Sequence, residues 1–401
     1  MSRIRQVDVA AVATVGPDFR YTQALPAPHN TTTIVTIIDE DGREGIGAHD
    51  ADSVGGFETA SLERLRRIVP ALPGRDIWAR EDIAGLVTDL GTSPLPPGPC
   101  SAIDIALWDL AAQNAGVPLY RLLGGAQEAL PAYASLPAAD PAAGPTASPT
   151  APPSADPAAD PSAGPPAPGP EQTLELVAQA RARGLTAIKL HVAGDPRADV
   201  ALHQQVRDAH AGLEILHDAE GMYDRRGARY VAAALGELGC RWLEAPLPDH
   251  DLRGYRELRS RSSVPILPAG EGVWELRGFG EALAAGAPWD AIRSDVTFAG
   301  GISFAVRLSA LARAFCLDLE LASYGHAIVQ AASLHAMLGL GGASYFELPY
   351  PPEPWNLGVE NPVIVGPDGQ VRAHELPGLG VRLDRGAIDR ATIATFRCED
   401  L

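Results

Sequence analysis

A polar residue recurs near the end of each of seven successive β-rich runs: Lys189, Asp218, Glu244, Glu271, Asp295, His326 and Glu347. Their separations are 29, 26, 27, 24, 31 and 21 residues, each about one strand-plus-helix unit. A single acid at a strand end is often the cap of a neighbouring helix, but a ladder of acids and bases at unit spacing is not explained that way. Asp218, Glu244 and Glu271 stand on three consecutive runs and form an all-oxygen set suited to a hard divalent cation such as Mg2+. No His or Cys sits among the three to favour zinc. Without a cation, three converging carboxylates would repel one another and raise their pKa values. Asp295 and His326 end neighbouring runs, where the carboxylate can orient the imidazole and raise its basicity, as a general base requires. His335, nine residues beyond His326 in SLHAML, is read instead as packed on the following helix. Glu347, if protonated, would donate a hydrogen bond to an oxygen gaining charge.

Lys189 is singled out a second way. Of 32 basic residues it is the only lysine, the other 31 being arginine. A chain so biased towards arginine keeps a lysine where a compact ammonium of tunable pKa is needed.

These residues need strands to carry them. The runs are PAYAS (131–135), AIKLHV (187–192), EILHDAE (214–220), CRWLEAP (240–246), VPILPAGE (264–271), AIRSD (291–295), DLELASYG (318–325) and SYFELPY (344–350). Eight such strands alternating with helix-length connections predict parallel βα units closed into a (β/α)8 barrel, whose strand ends converge on one mouth. The structural alternative, an open doubly wound sheet, is weakened by the lack of a Gly-rich phosphate turn after an early strand. Upstream, Thr32 to His49 alternates apolar and polar residues around Asp39-Glu40-Asp41-Gly42 and predicts a hairpin. Ser101 to Gly116 predicts a helix with Ser101 as N-cap and Ile103, Leu107, Leu110 and Ala111 on one face. The expected organisation is an α+β capping domain over 1–125, a barrel over 126–350, and a segment over 351–401 that returns to the capping domain.

Residues 136–170 break the pattern. Twelve of the chain's 36 prolines fall here, and within it no apolar residue larger than Pro follows Leu136. Such a segment buries too little apolar surface to offset its ordering entropy and is expected to be a disordered insertion, partly polyproline-like. A tolerated loop expansion is the plainer reading, a docking or lid role the other.

Composition narrows the function further. The formal charge of −18 argues against a nucleic-acid partner, which needs clustered positive charge. No apolar run reaches the ~18 residues of a membrane span. Two arginines near the N-terminus precede Asp8, which interrupts any signal-peptide core, so a cytoplasmic location is expected. Cys100, Cys240, Cys316 and Cys398 form no Cys-x-x-Cys and read as structural thiols.

In this order the ladder residues, with the helix-and-turn segment SAIDIALWDLAAQNAGVPLYRLLGG, resemble the enolase superfamily and its mandelate racemase-like branch. The resemblance spans nearly the whole chain outside the Pro/Ala-rich insertion. It implies Asp218, Glu244 and Glu271 as Mg2+ ligands, Asp295–His326 as a His-Asp dyad and Glu347 as the acid stabilising an enolate. Lys189 matches the first lysine of a Lys-x-Lys motif. The second lysine is replaced by His191, which is open between a base and a polar contact. Glu220 stands where an asparagine is expected and would meet a substrate hydroxyl or ammonium, or turn outward. Two capping loops, Gly16–Thr31 (with Arg20 and Tyr21) and Ala48–Gly56, would face the distal end of the substrate. The implied chemistry is removal of the α-proton of a small carboxylate, with a homo-oligomeric, dimer-based assembly. Dehydration of a sugar acid to a 2-keto-3-deoxy acid leads. An epimerase or racemase of a hydroxy or amino acid comes second, cycloisomerisation ranks lower, and a silent barrel retained for binding is remote.

Overall fold

The computed structural model describes residues 2–13, 30–52, 57–90, 98–139, 168–270, 272–273 and 275–399. The chain opens with β1 (Ile4–Ala13), β2 (Asn30–Asp39) and β3 (Glu44–Asp52), joined in an antiparallel sheet. The β2–β3 hairpin turns at Asp39–Gly42, where Gly42 N–H donates to Asp39 O at 3.0 Å and Gly42 takes φ +81°. Along β1, Ile4, Val7, Val9 and Ala11 are buried. They pack on α1 (Phe57–Ile68) and α3 (Gly98–Ala115), with α2 (Arg80–Leu90) between those helices in the chain. The sheet's other edge is β13 (Thr392–Glu399), near the C-terminus, paired antiparallel with β1.

Helix α3 begins at Gly98, three residues ahead of the expected start at Ser101. Pro99 fits its first turn because the missing N–H has no helical acceptor there. Ser101 is therefore not the N-cap. Its Oγ accepts the N–H of Gly300 at 2.9 Å, across the junction with the barrel. The same junction is closed by Trp108 Nε1 donating to Ser303 Oγ (2.9 Å) and Ser303 N donating to Asp104 Oδ2 (2.9 Å).

After the short α4 (Leu119–Leu122) come eight parallel strands: β4 (Leu130–Ser135), β5 (Ala187–His191), β6 (Glu214–Asp218), β7 (Leu243–Glu244), β8 (Ile266–Leu267), β9 (Ala291–Asp295), β10 (Asp318–Ala322) and β11 (Phe346–Pro349). Pairing runs β11-β4-β5-β6-β7-β8 and β9-β10, while β8 lies against β9 and β10 against β11, completing a ring. Every strand expected from the sequence is present. The helices following them are α5 (Pro170–Ala182), α6 (Pro196–Ala209), α7 (Arg225–Glu237), α8 (Leu252–Arg259), α9 (Leu276–Ala284), α10 (Gly301–Ala314) and α11 (Ala327–Leu340), and a short β12 (Gln370–Val371) pairs antiparallel with β4.

Strand alternation sorts the two faces. On β5, Ile188 and Leu190 enter the layer between strands and helices, with Leu176, Val177 and Val206. Inside the ring, a separate apolar cluster holds Tyr133, Ala187, Leu216, Trp242, Leu267 and Ala291. Five of these lie two residues before a polar position of the same run: Tyr133 before Ser135, Ala187 before Lys189, Leu216 before Asp218, Trp242 before Glu244, Ala291 before Arg293. An apolar floor thus carries a polar layer towards the C-terminal ends of the strands.

Most of the expected insertion, residues 140–167, lies outside the described residues. Its edges are ordered into the core: Leu136, Ala138 and Ala139 are buried, and Pro170 opens the next helix.

Candidate active site

Register brings the polar layer together. His191 pairs with Asp218 and Asp218 with Glu244 across β5, β6 and β7. Lys189 points into the ring between them, its side chain 3% exposed. Its Nζ lies 2.9 Å from Asp218 Oδ2, 3.4 Å from Glu244 Oε1 and 2.7 Å from Glu347 Oε1. Burial alone would depress this amine, but Glu244, Glu347 and Asp218 around it hold it well above the ordinary lysine value. The only lysine of the chain is therefore a fixed ammonium.

A second buried cation was not singled out in the sequence. Arg293, two residues before Asp295 on the same inward face of β9, pairs with Glu244 through Nε and with Glu347 Oε2 at 2.7 Å. Trp242 Nε1 donates to Glu244 Oε2 at 3.2 Å, and Ser135 Oγ donates to Glu347 Oε1 at 2.9 Å. Glu347 is buried, which would raise its pKa, yet Lys189 and Arg293 hold it below the usual carboxylate range. It sits here as an ionised acceptor, not as the protonated donor expected from the sequence. Burial opposes ionisation of Glu244 and raises its pKa, while Arg293 and Lys189 on its Oε1 favour the carboxylate. Two cations thus face three carboxylates.

His191 is buried beside Asp218. Its Nδ1 donates to Leu136 O at 2.6 Å, and its Nε2 lies 3.5 Å from both Asp218 Oδ2 and Glu220 Oε1. Glu220 follows β6 with φ +49°, its N–H donating to Asp218 Oδ1 at 3.1 Å. Among the described residues these three are the group of His, Cys and carboxylate side chains close enough to hold a metal ion, their donor atoms lying within 4.8 Å of one another.

The expected dyad is not formed. Asp295 Oδ1 accepts from Thr297 N (2.6 Å), Thr297 Oγ1 (2.8 Å) and Phe298 N (3.3 Å), a turn closed on its own backbone. His326 caps α11: Nδ1 accepts from Ile328 N at 3.3 Å, and Nε2 donates to Leu357 O at 2.7 Å. Burial takes this imidazole down to about 4. His335 lies on α11 as expected, its Nδ1 accepting from Tyr120 N at 3.0 Å.

Between Asp295 and His326 the capping domain inserts Asp50, from β3. Its Oδ2 accepts the His326 N–H at 2.6 Å and its Oδ1 accepts from Thr32 Oγ1 at 2.7 Å. Gly325 makes room for it: with φ +140°, a Cβ there would meet Asp50 Oδ2 at 2.0 Å. Burial pushes Asp50 up to about 6, so the folded chain holds its proton more tightly than the unfolded chain between about pH 4 and 6, and stability falls as pH rises through that window. In Asp50→Asn the amide can accept from His326 N–H and donate to Thr32 Oγ1. The melting temperature of Asp50→Asn relative to wild type should therefore rise from pH 4 to pH 7; a difference that stays flat would show that Asp50 titrates normally.

Glu271, Arg20 and Tyr21 lie outside the described residues. The segment flanking position 271 is held by Asp249, whose carboxylate accepts from Ala269 N (3.0 Å), Gly270 N (3.1 Å) and Gly272 N (3.0 Å). Asp50 and Asp249 both come from outside the strands they serve.

A divalent cation fits Asp218, a buried carboxylate among further anionic donors. It does not fit between Asp218 and Glu244 as they stand, because the Lys189 ammonium takes that place and Arg293 and Trp242 hold Glu244.

Two family models match the chain, the mandelate racemase/muconate lactonizing enzyme N-terminal domain over residues 13–124 and the enolase C-terminal domain-like model over 172–387. The chain belongs to the mandelate racemase/muconate lactonizing enzyme family. It is an enzyme of the enolase superfamily, with that superfamily's capping domain and (β/α)8 barrel. The crystal structure of a mandelate racemase/muconate lactonizing enzyme candidate from Pseudovibrio sp. is 30% identical, with a TM-score of 0.88 and full coverage of both chains. The L-talarate/galactarate dehydratase of Salmonella typhimurium is 27% identical over 332 residues, 80% of this chain and 71% of that protein. The L-Lys-D/L-Arg epimerase of Methylococcus capsulatus is 27% identical over 87% of this chain and 90% of its own. A talarate/galactarate dehydratase structure liganded with Mg and L-glucarate has a TM-score of 0.83 at 23% identity, covering all of this chain and 94% of that one. No helix among the described residues is long and apolar enough to cross a membrane.

Proposed function

We propose that this family member dehydrates a sugar acid, removing the α-proton of a hydroxylated carboxylate and expelling the β-hydroxyl as water to give a 2-keto-3-deoxy acid. The observation that carries the reading is the state of Lys189. Three carboxylates within 3.4 Å fix it as an ammonium, so the β5 side of the mouth offers positive charge from its lysine and not a lysine base. Inversion needs a proton acceptor on one face of the substrate and a donor on the other, and an ammonium held by three carboxylates gives up its proton poorly, whereas elimination can run both transfers through one group. The talarate/galactarate, L-rhamnonate and D-gluconate dehydratases among the relatives support the same reaction class.

The proton-transfer group of the opposite side is His326. Its ring has to leave both the Leu357 carbonyl and the Ile328 N–H and change tautomer, the proton passing from Nε2 to Nδ1, before the Nε2 lone pair can take the proton from the α-carbon. The imidazolium then gives that proton to the departing β-hydroxyl, so the C–H and C–O bonds break, a C=C bond forms, and the enol product tautomerises to the keto acid. Asp295 stabilises the imidazolium once both side chains leave their local hydrogen bonds. Lys189 and Arg293 present fixed cations where negative charge develops on the substrate carboxylate, an arrangement that needs no reorganisation during the reaction. Arg20 and Tyr21 of the capping loop contact the distal end of the substrate. A divalent cation held on Asp218, Mg2+ in solved relatives, would polarise the substrate carboxylate.

A second reading, epimerisation, rests on His191, whose Nε2 is the acceptor on the β5 side. A sugar-acid library incubated with Mg2+ or Mn2+ in D2O, read by NMR and semicarbazide trapping, separates the two. Keto-acid formation is the expected result. Deuterium at the α-carbon with no keto acid would make the enzyme an epimerase, and no exchange with any hydroxy, amino or sugar acid would sink both.

A further inference from the structure

We propose that His49 and Asp50, consecutive residues of β3 in the capping domain, are positioning residues for the proton-transfer pair, holding the barrel turns that carry Asp295 and His326. The inference rests on the reading of His326 as the proton-transfer group. It goes further in assigning the placement of that group to the capping domain.

Pairing between β9 and β10 ends at Asp295 opposite Ala322. The turn after Asp295 and the segment leading to His326 therefore lie beyond the ladder, where strand hydrogen bonds no longer fix them. Each meets one of two neighbouring side chains of β3. His49 Nδ1 lies 3.0 Å from Thr297 O, and because a carbonyl only accepts, that nitrogen carries the proton and donates. Thr297 is the residue whose N–H and Oγ1 close on Asp295 Oδ1, so His49 anchors the turn that holds the carboxylate. Asp50, one residue on, accepts the His326 N–H at 2.6 Å. Successive residues of a strand point to opposite faces, which lets one strand reach a turn on each side. Their Cα atoms are about 3.8 Å apart, and that fixed step sets the spacing of the two turns.

The fold leaves room for both side chains. His49 is 1% exposed, and a Cβ on Gly98 at the start of α3 would overlap its ring. Gly325, directly before His326, makes the corresponding space for Asp50. Ser101 and Asp104 of α3 add to the grip by accepting the N–H groups of Gly300 and Ser303. The capping domain thus meets the barrel along the two connections, β9 to α10 and β10 to α11, that carry Asp295 and His326. His49 and Asp50 fall within the segment Ala48–Gly56 expected to face the substrate, yet both are engaged by barrel backbone. When the His326 ring leaves Leu357 O and Ile328 N–H, it turns about a backbone that Asp50 keeps in place. A misplacement of about 1 Å in such a group can cost on the order of 10²-fold in rate.

Asp50→Ala and His49→Ala, assayed with whichever acid of the sugar-acid library the wild type converts, test the proposal. Each should lower kcat by about 10- to 100-fold with KM within about threefold of wild type. Asp50→Asn keeps an acceptor for His326 N–H, and His49→Asn a donor for Thr297 O, so both should recover most of the loss. In a His326→Asn background, Asp50→Ala should cost nothing further, because the anchor then has no base to position. If the alanine variants do not fold, Thr32→Val carries the test. It removes only the 2.7 Å donor to Asp50 Oδ1 and should lower kcat about threefold at unchanged KM. Unchanged kcat in these variants, with His326→Asn inactive, would overturn the inference and leave the His326 reading standing. A raised KM at unchanged kcat would make the two residues substrate contacts and overturn it equally. Full turnover in His326→Asn, or no turnover by the wild type, would overturn the His326 reading and the inference with it.

Discussion

Replacing Lys189 by methionine should destabilise the protein by about 3–5 kcal/mol at neutral pH, the scale for removing one partner of a buried ion pair. In a chain of this size that corresponds to a fall in melting temperature on the order of 4–6 °C. The side chain is 3% exposed and touches three carboxylates. Methionine fills similar space, so the loss is one of charge. Burial would raise both Asp218 and Glu347, and Lys189, the largest opposing influence, holds both below their ordinary pKa values. A carboxylate with a depressed pKa stabilises the fold above its unfolded pKa, and that contribution disappears as pH falls through the folded value. The gap between wild type and Lys189→Met should therefore be widest above about pH 5 and narrow as the pH is lowered below about 4. Lys189→Arg keeps the charge but puts a wider, planar cation into a packed site already holding Arg293. It should melt closer to wild type than Lys189→Met while losing at least ~10²-fold in kcat/KM. An arginine variant with full turnover would mean that the chain's single lysine answers no chemical need.

The barrel and its ladder were legible because they depend on two periodicities, the βα spacing along the chain and alternation along each strand. Both survive without knowledge of any tertiary contact. Taking one polar residue per strand end found Lys189, Asp218, Glu244 and Glu347, which the structure joins through shared hydrogen bonds. It passed over Arg293 because that residue sits one inward step deeper on β9, a position alternation would have exposed. Asp50 and Asp249 had no such signal. Asp50 reaches the barrel mouth only when the capping sheet docks, and Asp249 acts through backbone N–H groups twenty and more residues away. The Asp295–His326 pairing was inferred from adjacent strand ends, and adjacency does not fix rotamers. Short-range hydrogen bonds, an Asp-initiated turn at 295–298 and a helix cap at 326–328, hold both side chains elsewhere. His191 was open between base and polar contact because the choice depends on a carbonyl 55 residues earlier in the chain.

His326→Asn should reduce turnover by at least ~10³-fold while leaving the fold and the cation affinity close to wild type. Asparagine is among the best helix N-caps, and its Oδ1 can replace Nδ1 as acceptor for the Ile328 N–H, so α11 keeps its start. The backbone N–H that donates to Asp50 is untouched. What disappears is the hydrogen bond to Leu357 O, worth about 1 kcal/mol, and the one titratable nitrogen assigned to the α-proton. A residue acting only as cap and anchor would give the opposite pattern, a small loss of stability with turnover intact. The two roles are thus separated by comparing kcat with the melting temperature, and Mn2+ affinity measured alongside reports whether Asp218 has been disturbed. Loss of both keto-acid formation and α-deuteration, with stability and Mn2+ binding preserved, would place the proton on His326 and require its ring to leave Leu357 during the reaction. Retained turnover would move the base to the β5 side, where the neutral His191 imidazole lies beside Asp218.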